Sequence, residues 1–252
     1  MKEKQDMKKR NIIRGFLVLV MVVMTGFFIN LEITKADEKN TENYHLIPWD
    51  DGQSGTYWMD GYLYWIDMKK KKISRYSDEE MTKEEVLVEA DKGTCIGECG
   101  LLYDDIIYYV LIDNKTHAGN LYSYNLKSRE SNKLGAAREL QRLEVLVDGK
   151  IYGCGYTKTG NPEVFLYDLK GKKLKQICKN GYFGQIVGKY IAIQTISSSG
   201  KSGMTLYRKS DGQKIKTITS NCSYYEFIDN TFYYVEPVSY THLRAHETVL
   251  DL

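Results

Sequence analysis

The stretch Tyr57–Tyr76, YWMDGYLYWIDMKKKKISRY, decides the fold. It contains the turn pair Asp60-Gly61, and the aromatic and β-branched residues that follow are typical of a strand opened by a turn. The lysine-rich segment after Asp67 predicts a second turn, and Ile73–Tyr76 predicts a second strand. The stretch therefore predicts a β-hairpin, and the rest of the chain repeats this unit.

The turn followed by a strand recurs four more times. The later copies are Asp104–Tyr109, Asp148–Tyr152, Val187–Ile191 and Asp229–Tyr234. Counted from Gly61, their second turn residues are 44, 44, 39 and 42 positions apart. A second marker stays in phase with the first, at Ile73–Tyr76, Leu121–Tyr124, Phe165–Asp168 and Leu206–Arg208. One period therefore holds about four short strands, which is the unit of a propeller blade.

Stacking explains why such units repeat. One four-stranded sheet is too thin to bury both of its faces, so neighbouring sheets must supply the missing apolar contact. The alternative is a β-sandwich with coincidental spacing, but a sandwich has no reason to hold a fixed period. We therefore predict an all-β fold, a β-propeller of four-stranded antiparallel blades over residues 57–237. At this period we expect a truncated arc of four to five blades, since closed propellers mostly have about six to eight.

One repeat resembles a known propeller motif. Tyr64-Trp65-Ile66-Asp67, with Ile73 and Arg75 following, resembles the YWTD repeat of low-density-lipoprotein-receptor-type β-propellers, although Ile66 stands where that family has Thr. From Tyr57 to about Val235, the chain is more similar to a propeller domain of exported Gram-positive bacterial proteins, whose units read DG-x-IYY followed by LY-x-x-xLDG. This resemblance implies the fold and an extracytoplasmic place. It implies no activity, because those domains are mostly of unknown function.

The N-terminus predicts export. Met1–Arg14 carries six basic residues, and the uncharged, largely apolar run Gly15–Leu31 follows it. The run is slightly short for a membrane-spanning helix, which needs about 20 apolar residues. Small residues at Thr34 and Ala36 permit cleavage after Ala36. We interpret residues 1–36 as a hydrophobic helix that is either a signal peptide or a signal anchor. In both cases the rest of the chain is exported, because the positive flank stays inside.

Three segments stand apart from the repeats. Residues 37–56 are polar and lack periodicity, so we expect a spacer. Leu134–Leu143 is compatible with one or two helical turns between blades. Val238–Thr248, VSYTHLRAHET, resembles one reading frame of a transposon adapter used in preparing sequencing libraries. This resemblance implies that the natural frame was cut near Pro237, so we expect residues 238–252 to be artefactual and to lie outside the fold.

Composition argues against nucleic acid as a partner. The full chain has 35 Lys and Arg against 33 Asp and Glu, a net charge of +2. Residues 1–36 contain seven basic and three acidic residues, and the tail contains one basic and two acidic residues. Residues 37–237 therefore carry 27 basic and 28 acidic residues, a net charge of −1. A domain with this balance has no electrostatic footprint for nucleic acid.

No cofactor or metal site can be assigned from the cysteines, histidines or acidic pairs. The five cysteines are Cys95, Cys99, Cys154, Cys178 and Cys222. Their spacing fits neither a redox nor a zinc motif, and their pairing stays open. A Cys95–Cys99 disulfide is permitted outside a cell, while buried unpaired thiols are favoured for Cys154 and Cys178. His242 and His246 would suggest a zinc pair, but they fall in the excluded tail.

No catalytic residue can be assigned either. The chain lacks a G-x-S-x-G nucleophile motif, and His45 and His117 are the histidines outside the tail. Asp104-Asp105 and Asp113-Asn114 lack the spacing of a calcium loop and are better explained as turns. Twenty tyrosines lie outside the tail. With Trp65 they could line a sugar- or peptide-binding face, but packing within sheets explains them more simply.

These observations predict a binding module more readily than an enzyme. We expect an extracytoplasmic propeller that binds a protein, peptide or glycan at the cell surface through the loops at one end. It would meet the membrane only through its N-terminal segment. One alternative is a carbohydrate-active enzyme, a glycosidase or lyase, with part of its site beyond Pro237. Another alternative is the sensor domain of a membrane-anchored receptor, which requires an uncleaved signal.

Overall fold

A computed structural model describes most of the repeat region. The described residues are 44–47, 58–69, 71–78, 80–222, 224–228, 231–236 and 244–249. Every regular element among them is a β-strand, and none of them forms a helix that could cross a membrane. The predicted signal segment and its cleavage site at Ala36 lie outside the described residues.

The strands form five antiparallel sheets, which we number as blades 1–5 in chain order. Before blade 1 lies β1 (Tyr44–Ile47), and blade 1 contains β2 (Trp58–Met59), β3 (Tyr62–Asp67), β4 (Lys72–Tyr76) and β5 (Glu84–Glu89). Blade 2 contains β7 (Gly100–Tyr103), β8 (Ile106–Asp113), β9 (Gly119–Asn125) and β10 (Glu130–Ala136), and β6 (Thr94–Ile96) pairs with β8. Blade 3 contains β11 (Arg142–Val147), β12 (Lys150–Tyr156), β13 (Pro162–Asp168) and β14 (Lys173–Lys179). Blade 4 contains β15 (Gly181–Val187), β16 (Tyr190–Ile196), β17 (Ser202–Arg208) and β18 (Lys214–Thr219), and blade 5 contains β19 (Tyr224–Ile228), β20 (Thr231–Glu236) and β21 (Arg244–Val249).

The repeat predicted from the sequence is confirmed at its turns. Asp60 and Gly61 have φ values of 50° and 78°, and Asp148 and Gly149 have φ values of 50° and 66°. Two consecutive positive φ angles define the two-residue hairpin turn whose twist matches that of the flanking strands. Each Asp-Gly pair therefore joins the first and second strands of its blade.

Apolar clusters lie between successive blades. The cluster between blades 1 and 2 contains Ile66 and Ile107, and the cluster between blades 2 and 3 contains Tyr108 and Ile151. Adjacent residues on β8 therefore face opposite neighbours, as the two-residue period of a strand requires. Further clusters join blades 3 and 4 and blades 4 and 5. Because each inner blade is covered on its two faces by different sheets, the fold is a β-propeller and not a sandwich.

Three segments differ from the sequence predictions. The expected spacer contains strand β1, which pairs with β7. The segment Leu134–Leu143 contains the end of β10 and the start of β11, and the residues between them form no helix but a single turn, in which the Leu140 N–H donates to the Ala137 carbonyl at 2.8 Å. The expectation that the tail takes no part in the fold is wrong for Arg244–Val249, whose backbone pairs with β20. This pairing does not bear on the origin of the tail, which stays a prediction.

Candidate functional site

The blades have two distinct ends. The Asp-Gly turns and the turns between third and fourth strands share one end, which we call the turn end. The loops between second and third strands and the connections between blades share the opposite end, the loop end. Because the first strand of each blade starts at the loop end, residues at the starts of β7, β11 and β15 lie there together.

The connection from blade 2 to blade 3, residues 137–141, passes through a gap made by glycines. A Cβ atom on Gly155 would lie 1.5 Å from the Glu139 carbonyl oxygen, and one on Gly97 would lie 2.2 Å from the Gln141 carbonyl oxygen. A Cβ atom on Gly119 would lie 2.3 Å from the Leu140 carbonyl oxygen. Only glycine permits so close an approach of backbone to backbone. These three glycines therefore fix where β11 begins.

Backbone hydrogen bonds hold the same connection in place. The Gln141 N–H donates to the Cys154 carbonyl at 2.9 Å, and the Glu98 N–H donates to the Gln141 carbonyl at 3.2 Å. The first residue of β11, Arg142, follows directly and pairs with Cys154. Blade 2 and blade 3 thus place Glu98, Arg142 and Cys154 side by side.

A guanidinium lies between two carboxylates at this point. The Arg142 Nε donates to Glu144 Oε1 at 2.6 Å, and Arg142 Nη1 lies 3.6 Å from Glu98 Oε2. The register between β11 and β12 shifts between Leu143 and Val145, so Glu144 occupies a β-bulge. We call Glu98, Arg142, Glu144, Cys154 and Tyr156 the Arg142 cluster.

Burial sets the protonation of this cluster. Burial raises the pKa of Glu144 and outweighs the neighbouring Arg142, which lowers it. Burial opposes the charge on Arg142, but the carboxylates of Glu144 and Glu98 hold its pKa above the ordinary value. The Cys154 thiol hydrogen-bonds Glu144, and burial followed by that carboxylate raises the pKa of the thiol. The cluster therefore contains a fixed cation, a carboxyl group whose pKa is raised and an unreactive thiol.

Tyrosines from three elements lie in or beside the cluster. Tyr156 of β12 meets Tyr182 of β15 edge-to-face, with the ring centroids 6.4 Å apart. Burial and the charge of Glu98 raise the pKa of Tyr156. Tyr44 of β1 is also half-buried, and burial together with Glu144 raises its pKa to about 12. The site thus combines hydrogen-bonding hydroxyl groups with apolar ring surfaces.

Most other tyrosines serve packing, as the simpler interpretation of the sequence predicted. Tyr109, Tyr152 and Tyr167 are fully buried between blades. Each also makes a hydrogen bond through its hydroxyl group, for example Tyr152 to the Lys209 carbonyl at 2.8 Å. Trp65 is half-buried on β3 of blade 1, and it is not part of the Arg142 cluster.

The other residues considered from the sequence do not form a site. Asp113 accepts backbone hydrogen bonds from Lys115 and Thr116 and closes a turn, as predicted. Within the described ranges no group of three or more His, Cys, Asp and Glu side chains could hold a metal ion. His45 and His117 are exposed on β1 and in a turn. His242 lies outside the described residues, as does the side chain of His246.

The cysteine predictions are tested in part. Cys154 and Cys178 are buried free thiols, as expected. Cys95 is also a free thiol, so the Cys95–Cys99 loop that the sequence permits is not formed in the structure. Burial raises the pKa of Cys95, so this thiol is not activated for reaction.

Sequence reasoning missed the Arg142 cluster. Glu98 lies 44 positions before Arg142, and only the stacking of blade 2 on blade 3 brings them together. One signal was available in the sequence Arg142–Val147, RLEVLV, where two opposite charges alternate with buried aliphatic residues. Charged side chains in a strand that is otherwise buried are expected either on an exposed face of the sheet or at a functional site.

Comparisons with known proteins support the fold and no specific activity. No protein family model and no curated protein sequence matches the chain. Among solved structures, a prolyl endopeptidase superposes with a TM-score of 0.52 at 12% identity, over 77% of this chain and 34% of that protein. An oligogalacturonate lyase in complex with manganese gives a TM-score of 0.53 at 10% identity, over 77% of this chain and 63% of the lyase. Oligopeptidase B from Leishmania major gives 0.51 at 7% identity, over 78% of this chain and 31% of that protein.

At these identities the similarity concerns the fold alone. The comparisons and the stacked sheets agree that this fold is a β-propeller. This chain spans between about a third and two thirds of the length of those structures.

Proposed function

We propose that this chain is an extracytoplasmic β-propeller binding module and that its ligand binds at the Arg142 cluster. One observation carries the proposal. The cluster places a guanidinium, two carboxyl groups and tyrosine hydroxyls at the loop end, where blades 2, 3 and 4 meet. Charges that are partly withdrawn from water are costly to keep in a structural role, since apolar side chains of similar size often stabilise a fold equally well or better. Charged groups held together in this way favour a functional role.

The chemistry of the cluster favours a glycan among the ligands considered. A hydroxyl group both donates and accepts a hydrogen bond, so neighbouring hydroxyls can donate to Glu98 and accept from Arg142. Bonds to charged partners are roughly twice as strong as neutral ones. The rings of Tyr156 and Tyr182 add apolar surface against which a sugar ring can pack.

A glycan array probed with the full chain tests this proposal. We expect binding to a subset of polyhydroxylated glycans and a loss of that binding in Arg142→Met. A matched control is Arg208→Met, because Arg208 pairs with Asp211 at the turn end with 44% of its side chain exposed. Equal binding by both variants would place the ligand elsewhere.

A carbohydrate-active enzyme is the second candidate, and the raised pKa of Glu144 favours it. Glycosidases use a pair of carboxyl groups, one of which stays protonated to serve as general acid. Glu144 and Glu98 both contact Arg142, which makes them the pair to test. Release of reducing ends from a polysaccharide, abolished in Glu144→Gln, would support the enzyme. Binding of the same polysaccharide without turnover would support the module.

Export is proposed from the N-terminal sequence. The basic flank and apolar run of residues 1–36 support it, as does the resemblance of the repeats to propellers of exported Gram-positive proteins. N-terminal sequencing of the protein recovered outside cells would decide between a cleaved signal and a receptor anchor. An N-terminus at Asp37 would exclude the membrane-anchored sensor, whereas an intact N-terminus in the membrane fraction would favour it.

A further inference from the structure

Strand β1 pairs with blade 2, although blade 1 comes between β1 and blade 2 in the chain. The next residues described after β1 form blade 1, but β1 itself pairs with β7 of blade 2. The pairing is antiparallel, with Tyr44 opposite Tyr103 and Ile47 opposite Gly100. Because β7 is the first strand of blade 2, β1 covers the edge of β7 that does not pair with β8, and we call this edge of a first strand its inner edge. The inner edges of β11 and β15 have no such partner among the described residues.

The apolar side chains of β1 pack against different apolar clusters of the propeller. Ile47 is fully buried in the cluster between blades 1 and 2. A Cβ atom on Gly100 would lie 3.7 Å from the Ile47 Cβ atom, which is ordinary van der Waals distance, so β1 and β7 pack directly against each other at this pair. Leu46 packs against the cluster between blades 2 and 3, and Tyr44 packs against the clusters on both faces of blade 3. His45 is exposed.

This arrangement has the two features by which proteins recognise an extended peptide that adds a strand to the edge of a sheet. Backbone hydrogen bonds to a sheet edge provide affinity, and pockets for individual side chains provide sequence preference. Four residues supply both parts here, with an aromatic side chain first and aliphatic side chains third and fourth. So short a strand is held far less firmly than the strands inside a blade.

We propose that the inner edge of β7 is an acceptor site for an extended peptide with the pattern aromatic-x-aliphatic-aliphatic, and that Tyr44–Ile47 is its resident occupant. The proposal does not rest on glycan binding. It concerns the Arg142 cluster as well, however, because the charge of Glu144 contributes, after burial, to the raised pKa of Tyr44. A peptide that replaces β1 takes Tyr44 away from the Arg142 cluster.

The test compares two variants of the full chain. Ile47→Asp places a charge in a fully buried position and releases β1, whereas His45→Asp places the same charge on the exposed face of the same strand. The probe is a fluorescein-labelled peptide that copies residues 42–49, ENYHLIPW. The control peptide carries Asp in place of Ile at its sixth position.

We expect Ile47→Asp to bind the labelled peptide at least about tenfold more tightly than the unmodified chain or His45→Asp does. A strand that occupies its own site nine-tenths of the time reduces apparent affinity by about that factor. Hydrogen exchange at residues 101–103 should quicken in Ile47→Asp and slow again with peptide. Unchanged exchange at these residues in the variant, or equal binding of the control peptide, would overturn the proposal.

A second measurement covers the case in which Ile47→Asp fails to fold. The unmodified chain is incubated with an excess of the peptide carrying photoreactive benzoylphenylalanine in place of its tyrosine. We expect crosslinks to β7 and to the facing part of β11, reduced by unlabelled peptide. Crosslinks spread over the surface, or none at all, would show that the edge does not exchange its strand.

Discussion

At the scale of single residues, Arg142 carries a fixed charge with only 28% of its side chain exposed. The carboxylate of Glu144, 12% exposed, is its partner at 2.6 Å. Removing one member of a buried pair costs more than the pair contributes, because the other charge is left without a partner. The two residues should therefore behave as a unit under mutation.

We predict that Arg142→Gln lowers the free energy of unfolding by about 3 kcal/mol, the cost of leaving a buried carboxylate uncompensated. Adding Glu144→Gln to this variant should restore most of the loss, because the stranded charge is removed as well. Urea unfolding monitored by tyrosine fluorescence measures the free energy of unfolding of the single and the double variant. Arg208→Gln, which breaks an exposed pair, should cost about 1 kcal/mol or less. Equal losses in the single and double variants would contradict the coupling.

The raised pKa of Glu144 predicts a pH dependence of stability. The folded state binds the proton more tightly than the unfolded state, whose carboxyl has the ordinary pKa of 4.5. The contribution of this group is therefore fully present below pH 4.5 and is lost as the pH rises through the folded pKa. The stability of the unmodified chain relative to Glu144→Gln should fall over that range. Parallel unfolding profiles against pH would contradict this prediction.

At the scale of elements, the connection of residues 137–141 sets the position of the candidate site. It contacts the backbone at Gly97, Gly119 and Gly155, so the start of β11 cannot move independently of blades 2 and 3. A bulge at Glu144 then turns a second charged residue toward the Arg142 guanidinium. The geometry of the cluster is thus a property of the backbone around it.

We predict that Gly155→Ala destabilises the protein by about 3 kcal/mol, at the upper end of the cost of overpacking. The new methyl group would overlap the Glu139 carbonyl, which is backbone and cannot rotate away. Gly149→Ala is the control: its Cβ atom meets nothing within 4 Å, although its φ is 66°. That variant should cost only about 1 kcal/mol, from backbone strain. Thermal unfolding compares the two, and a smaller effect at Gly155 would contradict the close approach.

At the scale of the whole propeller, each blade is stabilised by its neighbours. The stability of such an array is approximately a sum of blade and interface contributions. Large buried clusters join blades 1 to 4, whereas Phe232 is the one fully buried residue that blade 5 contributes among those described. Blade 5 should therefore be the least protected part of the array.

We predict that Phe232→Ala removes about 3–5 kcal/mol from the interface between blades 4 and 5. Hydrogen exchange should then quicken throughout β19 and β20 and stay unchanged in β8 and β12. A matched change inside the array, Phe165→Ala, should quicken exchange in blades 2 and 3 together. Uniform quickening over all blades in Phe232→Ala would show a single cooperative unit instead of an array.

Much of the blade architecture could be predicted because it rests on local chemistry. Asp60-Gly61 and Asp148-Gly149 specify their turns through backbone angles that few other pairs adopt. The alternation in Ile106–Val110 assigns its residues to the two faces of one strand, and the structure places them so. Strand β1 escaped prediction because Tyr44–Ile47 is only four residues long and its partner lies more than fifty positions away.

The sequence by itself determined the period, the strands of the repeated blades and their stacking, because turn residues and alternating side chains act within a few positions of one another. The Arg142 cluster and the edge that holds β1 were decided only by the tertiary structure. Both depend on side chains from different blades whose separation is set by how sheets pack, and no local pattern encodes that distance. A buried charge also acquires its chemistry from its surroundings, so the raised pKa of Glu144 exists only once blade 3 is packed between its neighbours.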